Sequence, residues 1–290
     1  MNSRATRLAA DVLRVLPRKR ISRAMGRLAR GPWPAPVTKA AISVYERAYG
    51  VDLSDFDVPA GGFPSLEAFF TRGLRPGARP IDSDPRAIVS PADGTLADRG
   101  PIDAEATLLV KGRTYEVGAL LGDPAEADRY AGGWFVMVYL HPRDYHRVHS
   151  PVAGEVHRVR HVPGTLYPVN AIGEDHVSGL FTENERVVVF VSGGSGRPPV
   201  ATILIGALGV GRITLAFSDL VTNAGPNGKG EDRAFDPPVV LGRGDEIGTF
   251  HMGSTAVVLV PPDVATPDGA RPGERILLGN RIGLGSAHAG

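Results

Sequence analysis

Apolar residues follow two rhythms in this chain, and the change from one to the other divides it. Ala5, Leu8, Ala9, Val12 and Leu16 recur at helical spacing, with Arg4, Arg7, Asp11, Arg14 and Arg18 on the other faces and Pro17 closing the segment. Ile21, Ala24, Met25 and Leu28 repeat the pattern beside Arg20, Arg23, Arg27 and Arg30, until Gly31, Pro32 and Pro34 break it. Thr38 to Tyr49 predicts a third helix, with Thr38 as N-cap and Gly50 as stop, and Leu66 to Arg72 a short fourth carrying Phe69 and Phe70.

From about residue 85 the rhythm shortens. Apolar runs such as Ala87 to Val89, Trp134 to Leu140, Arg186 to Val191, Val200 to Leu208 and Ala256 to Val260 alternate with glycine- and proline-rich breaks. Runs of this length predict strands and turns. The expected class is α+β, mainly β: N-terminal amphipathic helices over residues 1–75, then an antiparallel β-rich domain of sandwich or barrel type over 76–290.

Composition adds three constraints. With 42% hydrophobic and 22% charged residues among 290, the chain is expected to fold, and 37 glycines and 25 prolines suit a turn-rich domain. No cysteine is present, which removes disulfides, thiolate nucleophiles and cysteine metal ligands. The formal charge of +1 hides an asymmetry: in the first thirty residues eight arginines and Lys19 face only Asp11. Basic amphipathic helices of this kind suit an anionic lipid interface, and equally a hairpin packed on its own domain. The longest apolar stretch, Val200 to Gly211, is too short to span a bilayer, and the arginine-studded N-terminus lacks the apolar core of a signal peptide. The body of the chain is therefore expected in the cytoplasm.

Candidate chemistry lies in three places. His141-Pro-Arg-Asp-Tyr-His-Arg-Val-His-Ser-Pro151 packs three histidines, two arginines and an aspartate directly after an apolar run, although ordinary turn histidines would look the same singly. Zinc is a competing reading for His146, His149, His157 and His161, but residues three apart on a strand face opposite ways and no HExxH helix is present. Asp93, in Ser90-Pro-Ala-Asp-Gly-Thr95, sits in a turn signal and is also a carboxylate able to orient a histidine. Met252-Gly-Ser-Thr255 precedes an apolar run; read alone it is a bend, and Met252 and Ala256 stand where a nucleophile elbow needs glycine.

Taken together and in order, these segments resemble bacterial phosphatidylserine decarboxylases. The resemblance runs through Phe69-Phe-Thr-Arg72, Arg79-Pro-Ile-Asp82, Pro91-Ala-Asp-Gly94, Lys111-Gly112, Pro142 to His149, Phe181-Thr-Glu-Asn-Glu-Arg186 and Gly253-Ser-Thr255. Met252 replaces the family's usual leucine at similar volume, and His251 is an unusual neighbour for the cleavage point.

The resemblance implies a proenzyme that cuts itself between Gly253 and Ser254 into a β subunit (1–253) and an α subunit (254–290). It makes Asp93, His149 and Ser254 the relay for self-cleavage, and Ser254 the source of a covalent pyruvoyl cofactor, with no metal. His146 is assigned to the substrate or to acid–base work. The implied reaction is decarboxylation of phosphatidylserine to phosphatidylethanolamine in phospholipid biosynthesis. The implied partners are the lipid surface and further copies of the αβ unit, with no nucleic acid, on the cytoplasmic side of the cell membrane. The N-terminal helices would then be lipid-facing. Two alternatives stay open on the residues alone: a single-chain serine hydrolase using the same three side chains, and a non-catalytic membrane-binding β domain.

Overall fold

The structure, a computed structural model, describes residues 17–169, 171–194, 196–209, 211–224, 230–251 and 254–285. The helix expected before Pro17, and residues Met252 and Gly253, lie outside these. Three helices come first: α1 (Arg18–Arg30), α2 (Ala35–Tyr49) and α3 (Leu66–Phe70). Helix α2 begins earlier than expected, because Pro36 is accommodated in its first turn; Pro34, not Thr38, is its N-cap. Gly50 stops it in the left-handed conformation at φ 64°. Ser65 caps α3 by accepting a hydrogen bond from Ala68 N. No helix among the described residues is long and apolar enough to cross a membrane.

Strands begin at β1 (Ala87–Val89), which joins β17 (Arg281–Gly285) and β15 (Ala265–Pro267) in a small sheet, and β3 (Thr107–Val110) and β4 (Arg113–Glu116) form a hairpin. An eight-stranded antiparallel sheet joins β2 (Gly94–Pro101), β5 (Trp134–Leu140), β7 (Gly154–Val162), β8 (Arg186–Ser192), β9 (Val200–Ile205), β12 (Glu231–Leu241), β14 (Ser254–Val260) and β16 (Arg275–Ile276), in the order β12-β7-β8-β9-β14-β5-β2-β16. A second sheet of four strands contains β6 (Arg147–His149), β10 (Ile213–Leu215), β11 (Ser218–Val221) and β13 (Glu246–Phe250).

The two sheets enclose one core. Val138, Leu140, Ala256 and Val258 of the large sheet pack with Val148, Ile213, Ile247 and Phe250 of the small one. The opposite face of the large sheet, with Phe135, Met137, Val257 and Leu259, packs on short helices and a hairpin that supply Val110, Tyr115, Leu120 and Phe181. Strand β14 is thus covered on both faces, which is why Ala256 to Val260 reads as unbroken apolar sequence. Each of its buried valines contributes about 1.5–3 kcal/mol by leaving water.

The basic charge of α1 has two destinations. Arg18 donates to Thr165 Oγ1 at 2.9 Å and lies over the Tyr167 ring; Lys19 pairs with buried Glu185, Arg23 donates to Asn223 Oδ1 and Arg30 approaches Glu67. Ser22 Oγ accepts from Gly209 N at 2.9 Å. Half of the helix therefore docks on its own protein, as a packed hairpin would. The other half, with Arg20, Ala24, Met25, Arg27 and Leu28, is exposed.

The Phe181–Arg186 block proves to be part of this scaffold. Arg186 donates to the carbonyls of Leu120, Thr182 and Asn184, and Asn184 ties Tyr167 to Gly206. Glu185 accepts from His161 Nε2 at 2.9 Å and from Asn223 N.

Candidate active site

Strand β5 ends at Leu140, and the chain turns at once through His141–Asp144. Asp144 closes this turn by accepting from His141 N at 2.9 Å, and Arg275 caps its second carboxylate oxygen at 2.8 Å. From below, Arg72 donates to the carbonyls of Arg143 and Asp144 while its guanidinium stacks on Phe56 and Phe69. Arg147 donates twice to Thr71 O. The Phe69–Arg72 block is thus a clamp on the histidine segment. Burial pushes the Arg72 guanidinium down to about 10.

His146 is fully buried, its ring 4.0 Å from that of Phe70. Its Nδ1 lies 2.9 Å from Asp144 O. A carbonyl only accepts, so Nδ1 carries the proton and Nε2 a lone pair. That Nε2 is buried without a hydrogen-bond partner among the described residues. Burial pushes the His146 imidazole down to about 3, leaving it neutral at ordinary pH.

His149 sits at the end of β6, its main-chain N–H donating to Pro91 O at 2.8 Å. Nδ1 is 2.8 Å from Gly244 O and so carries the proton, while Nε2 is 3.0 Å from Tyr145 Oη and accepts from that hydroxyl. Gly244 has φ +88°, and a Cβ there would meet Ile81 at 2.7 Å, so only glycine brings this carbonyl under the ring. Burial lowers the His149 pKa from its ordinary value.

Asp93 is also buried, two residues beyond the carbonyl that holds the His149 main chain. Its carboxylate is occupied. Arg79 Nε reaches both oxygens at 3.0 Å, Arg79 Nη2 reaches Oδ2 at 2.7 Å and Leu278 N donates to Oδ1 at 2.8 Å. The direct hydrogen bond from Asp93 to His149 that the relay implies is not formed. Both ring nitrogens are taken by Gly244 and Tyr145, and Arg79 holds the carboxylate. The negative charge of Asp93 acts on His149 through space. A polar cavity of about 320 Å³, lined by Asp55, Phe56, Arg79, Asp93, Asp144 and Tyr145 among others, borders this group.

Residue 254 opens β14 at the central seam of the large sheet, its backbone in register with Leu140, the residue before His141. On the other side of the connection, Phe250 at the end of β13 donates its N–H to His146 O at 2.9 Å. The chain between 250 and 254 therefore starts and finishes against the histidine segment. His251 is held within it by Glu67 Oε1 and Thr214 Oγ1, each 3.0 Å from a ring nitrogen, and by Arg212. Burial alone would raise Glu67, but hydrogen bonding to His251, with the charges of His251, Arg30 and Arg212, keeps its carboxyl below the usual value.

The family model for phosphatidylserine decarboxylase matches residues 66–284, spanning the helical clamp, both histidines and β14. The chain belongs to the phosphatidylserine decarboxylase family. Among its relatives, the phosphatidylserine decarboxylase proenzyme of Anaeromyxobacter sp. (strain K) is 40% identical over 283 residues, covering 96% of this chain and 98% of the relative. The proenzymes of Myxococcus xanthus and Azotobacter vinelandii are 37% and 40% identical, each over 94% of this chain and 96% of its own length. "Proenzyme" in those names denotes a precursor.

Among the described residues no cluster of three or more His, Asp or Glu stands ready for a metal ion. His157 pairs with Glu155 and His161 with Glu185, away from His146 and His149. Sequence reasoning missed Arg79, Tyr145 and Gly244 as neighbours of the site. Arg79 and Tyr145 stood inside the family-like blocks, which was their only signal; Gly244 carried none.

Proposed function

We propose that this decarboxylase is made as a precursor that cuts itself between Gly253 and Ser254 and then converts phosphatidylserine to phosphatidylethanolamine and carbon dioxide. The observation that carries the reading is the double anchoring of the cleavage connection, through Phe250 N to His146 O and through the pairing of residue 254 with Leu140. It holds residues 250 and 254, the described ends of that connection, against the segment that carries His146 and His149.

In this reading His149 is the base that accepts the Ser254 hydroxyl proton. Its neutral state, kept by burial, and its Nδ1–H, fixed by Gly244 O, leave Nε2 as the proton acceptor. In a serine–histidine relay an aspartate usually fixes that tautomer; here a carbonyl does so, and the Asp93 charge favours the imidazolium that forms. The hydroxyl oxygen adds to the Gly253 carbonyl, the C–N bond breaks and an ester forms. Loss of the residue 254 α-proton expels the Gly253 carboxylate; addition of water and loss of ammonia leave a pyruvoyl cap on the α subunit. That group supplies an electron sink for the electron pair left when carbon dioxide departs.

The Nε2 of His146 suits this second stage, since a buried lone pair with no partner among the described residues is open to a substrate hydrogen. A substrate carboxylate beside the ring would stabilise its protonated form and so hold a proton ready for the carbon that loses carbon dioxide.

Membrane contact belongs to the exposed half of α1 and the start of α2. Met25, Leu28, Trp33, Val37 and Val44 are 40–66% exposed, and Met25, Leu28, Trp33 and Val37 line an apolar groove of about 350 Å³. With Arg20 and Arg27 alongside, this surface fits the interface of an anionic bilayer, to which the protein binds peripherally.

The test of the reaction is to incubate the protein with vesicles containing phosphatidylserine and to measure carbon dioxide and phosphatidylethanolamine. Absence of both products from a cut protein sinks it, and release of fatty acid by an intact chain would favour a serine hydrolase. For the membrane surface, Met25→Asp combined with Leu28→Asp is expected to lower vesicle binding at least tenfold without preventing cleavage. Unchanged sedimentation with vesicles would remove these helices as the anchor.

A further inference from the structure

The side chain bonded to the second ring nitrogen of the proposed base is a tyrosine to which neither the family match nor the relay assigns a part. Tyr145 is buried, its ring 5.6 Å from that of His149 and 6.1 Å from that of Phe56, and its hydroxyl lies 3.0 Å from His149 Nε2. Because Nδ1 must donate to Gly244 O, the hydroxyl must be the donor at Nε2. The lone pair that would take the Ser254 proton is therefore covered by a tyrosine O–H.

The charged groups facing this ring come as pairs. Glu246 of β13 is bound to Arg147 at 3.0 Å, and Asp93 is bound to Arg79 at 2.7 Å. Burial and the bond to Gly244 O act on His149 first, and Glu246, Arg147 and Asp93 act on it through space; the Tyr145 hydroxyl is the group bonded to Nε2 itself. Burial first, then Glu246 and Asp93, keep that phenol protonated and so a permanent donor.

We propose that Tyr145 is a positioning residue for His149, capping Nε2 so that the imidazole waits neutral and fixed in its Nδ1–H tautomer until the Ser254 hydroxyl replaces the phenol. A donor bonded to the neutral form opposes protonation. Removing the hydroxyl therefore raises the affinity of His149 for a proton, whereas a merely structural tyrosine leaves it unchanged. The role in cleavage rests on the reaction proposed above; the bond to His149 does not.

The experiment separates the two. In the uncut Ser254→Ala precursor with 15N-labelled histidine, the His149 signal is assigned by its loss in His149→Gln and titrated by NMR, with Tyr145 intact and as Tyr145→Phe. The expected result is an Nδ1–H neutral ring in both, with the midpoint raised by about half a unit or more in Tyr145→Phe, roughly a threefold change in proton affinity. Superimposed titrations, or an Nε2–H ring with Tyr145 intact, overturn the proposal. Should Tyr145→Phe not fold, 3-fluorotyrosine at position 145, a stronger donor of nearly the same size, is expected to lower the midpoint instead, and no shift there is equally fatal. In the otherwise native chain the acid limb of the self-cleavage rate is expected to move upward with the NMR midpoint. If the native chain never cuts, the proposed cleavage fails while the titration still decides the role of Tyr145.

Discussion

Ser254→Ala is expected to leave one uncut chain of 290 residues and to abolish carbon dioxide release. The substitution removes a single oxygen at the first position of β14, whose backbone pairing with Leu140 needs no side chain, so the sheet should form as before. What disappears is both the nucleophile for the Gly253 carbonyl and the atoms from which a pyruvoyl group would be made. The effect on turnover is therefore the whole activity and not a fraction of it. In the parent protein, mass spectrometry should find fragments 1–253 and 254–290, the smaller one closed to N-terminal sequencing. A Ser254→Ala protein found cut at this bond would refute the assignment of the nucleophile.

His149→Ala and His146→Ala are expected to fail at different stages. Without His149, no group in the site carries a lone pair on a ring oriented by Gly244 O, and uncut precursor should accumulate, with cleavage slowed by about 10²–10⁴-fold. Without His146, the backbone anchor to Phe250 survives, since it uses the carbonyl of residue 146, and cleavage should proceed. Decarboxylation by the resulting two-chain protein should then drop by about 10²–10⁴-fold, because the unpartnered Nε2 is gone. Gel mobility and carbon dioxide release on the two variants decide the matter; a His146→Ala protein that stays whole beside a His149→Ala protein that matures would reverse the roles.

Both histidines have depressed pKa values in the folded protein, and this fixes the sign of the pH dependence. In the unfolded chain they bind a proton near their ordinary pKa of about 6.5, whereas the folded chain resists protonation. The contribution to stability is complete above that value and is lost as pH falls below it, for His146 down to about 3. Acid should slow self-cleavage by charging His149, at a pH below the ordinary histidine value.

The order of elements was legible in the sequence because it depends on near neighbours. Helical spacing in Ile21 to Leu28, the stop at Gly50 and the doubly buried run Ala256 to Val260 are local consequences of side-chain period and turn chemistry, and each was found where the pattern put it. The histidine segment and the Gly-Ser-Thr step were visible for the same reason. Partners of the side chains were not legible. His149 takes its tautomer from a carbonyl 95 positions away, Asp93 is held partly by an amide 185 positions away, and Arg18, Lys19 and Arg23 meet acceptors that only the packed sheet brings to α1. A sequence period states which face a residue occupies; which distant atom fills that face is decided when strands from both ends of the chain close around one core.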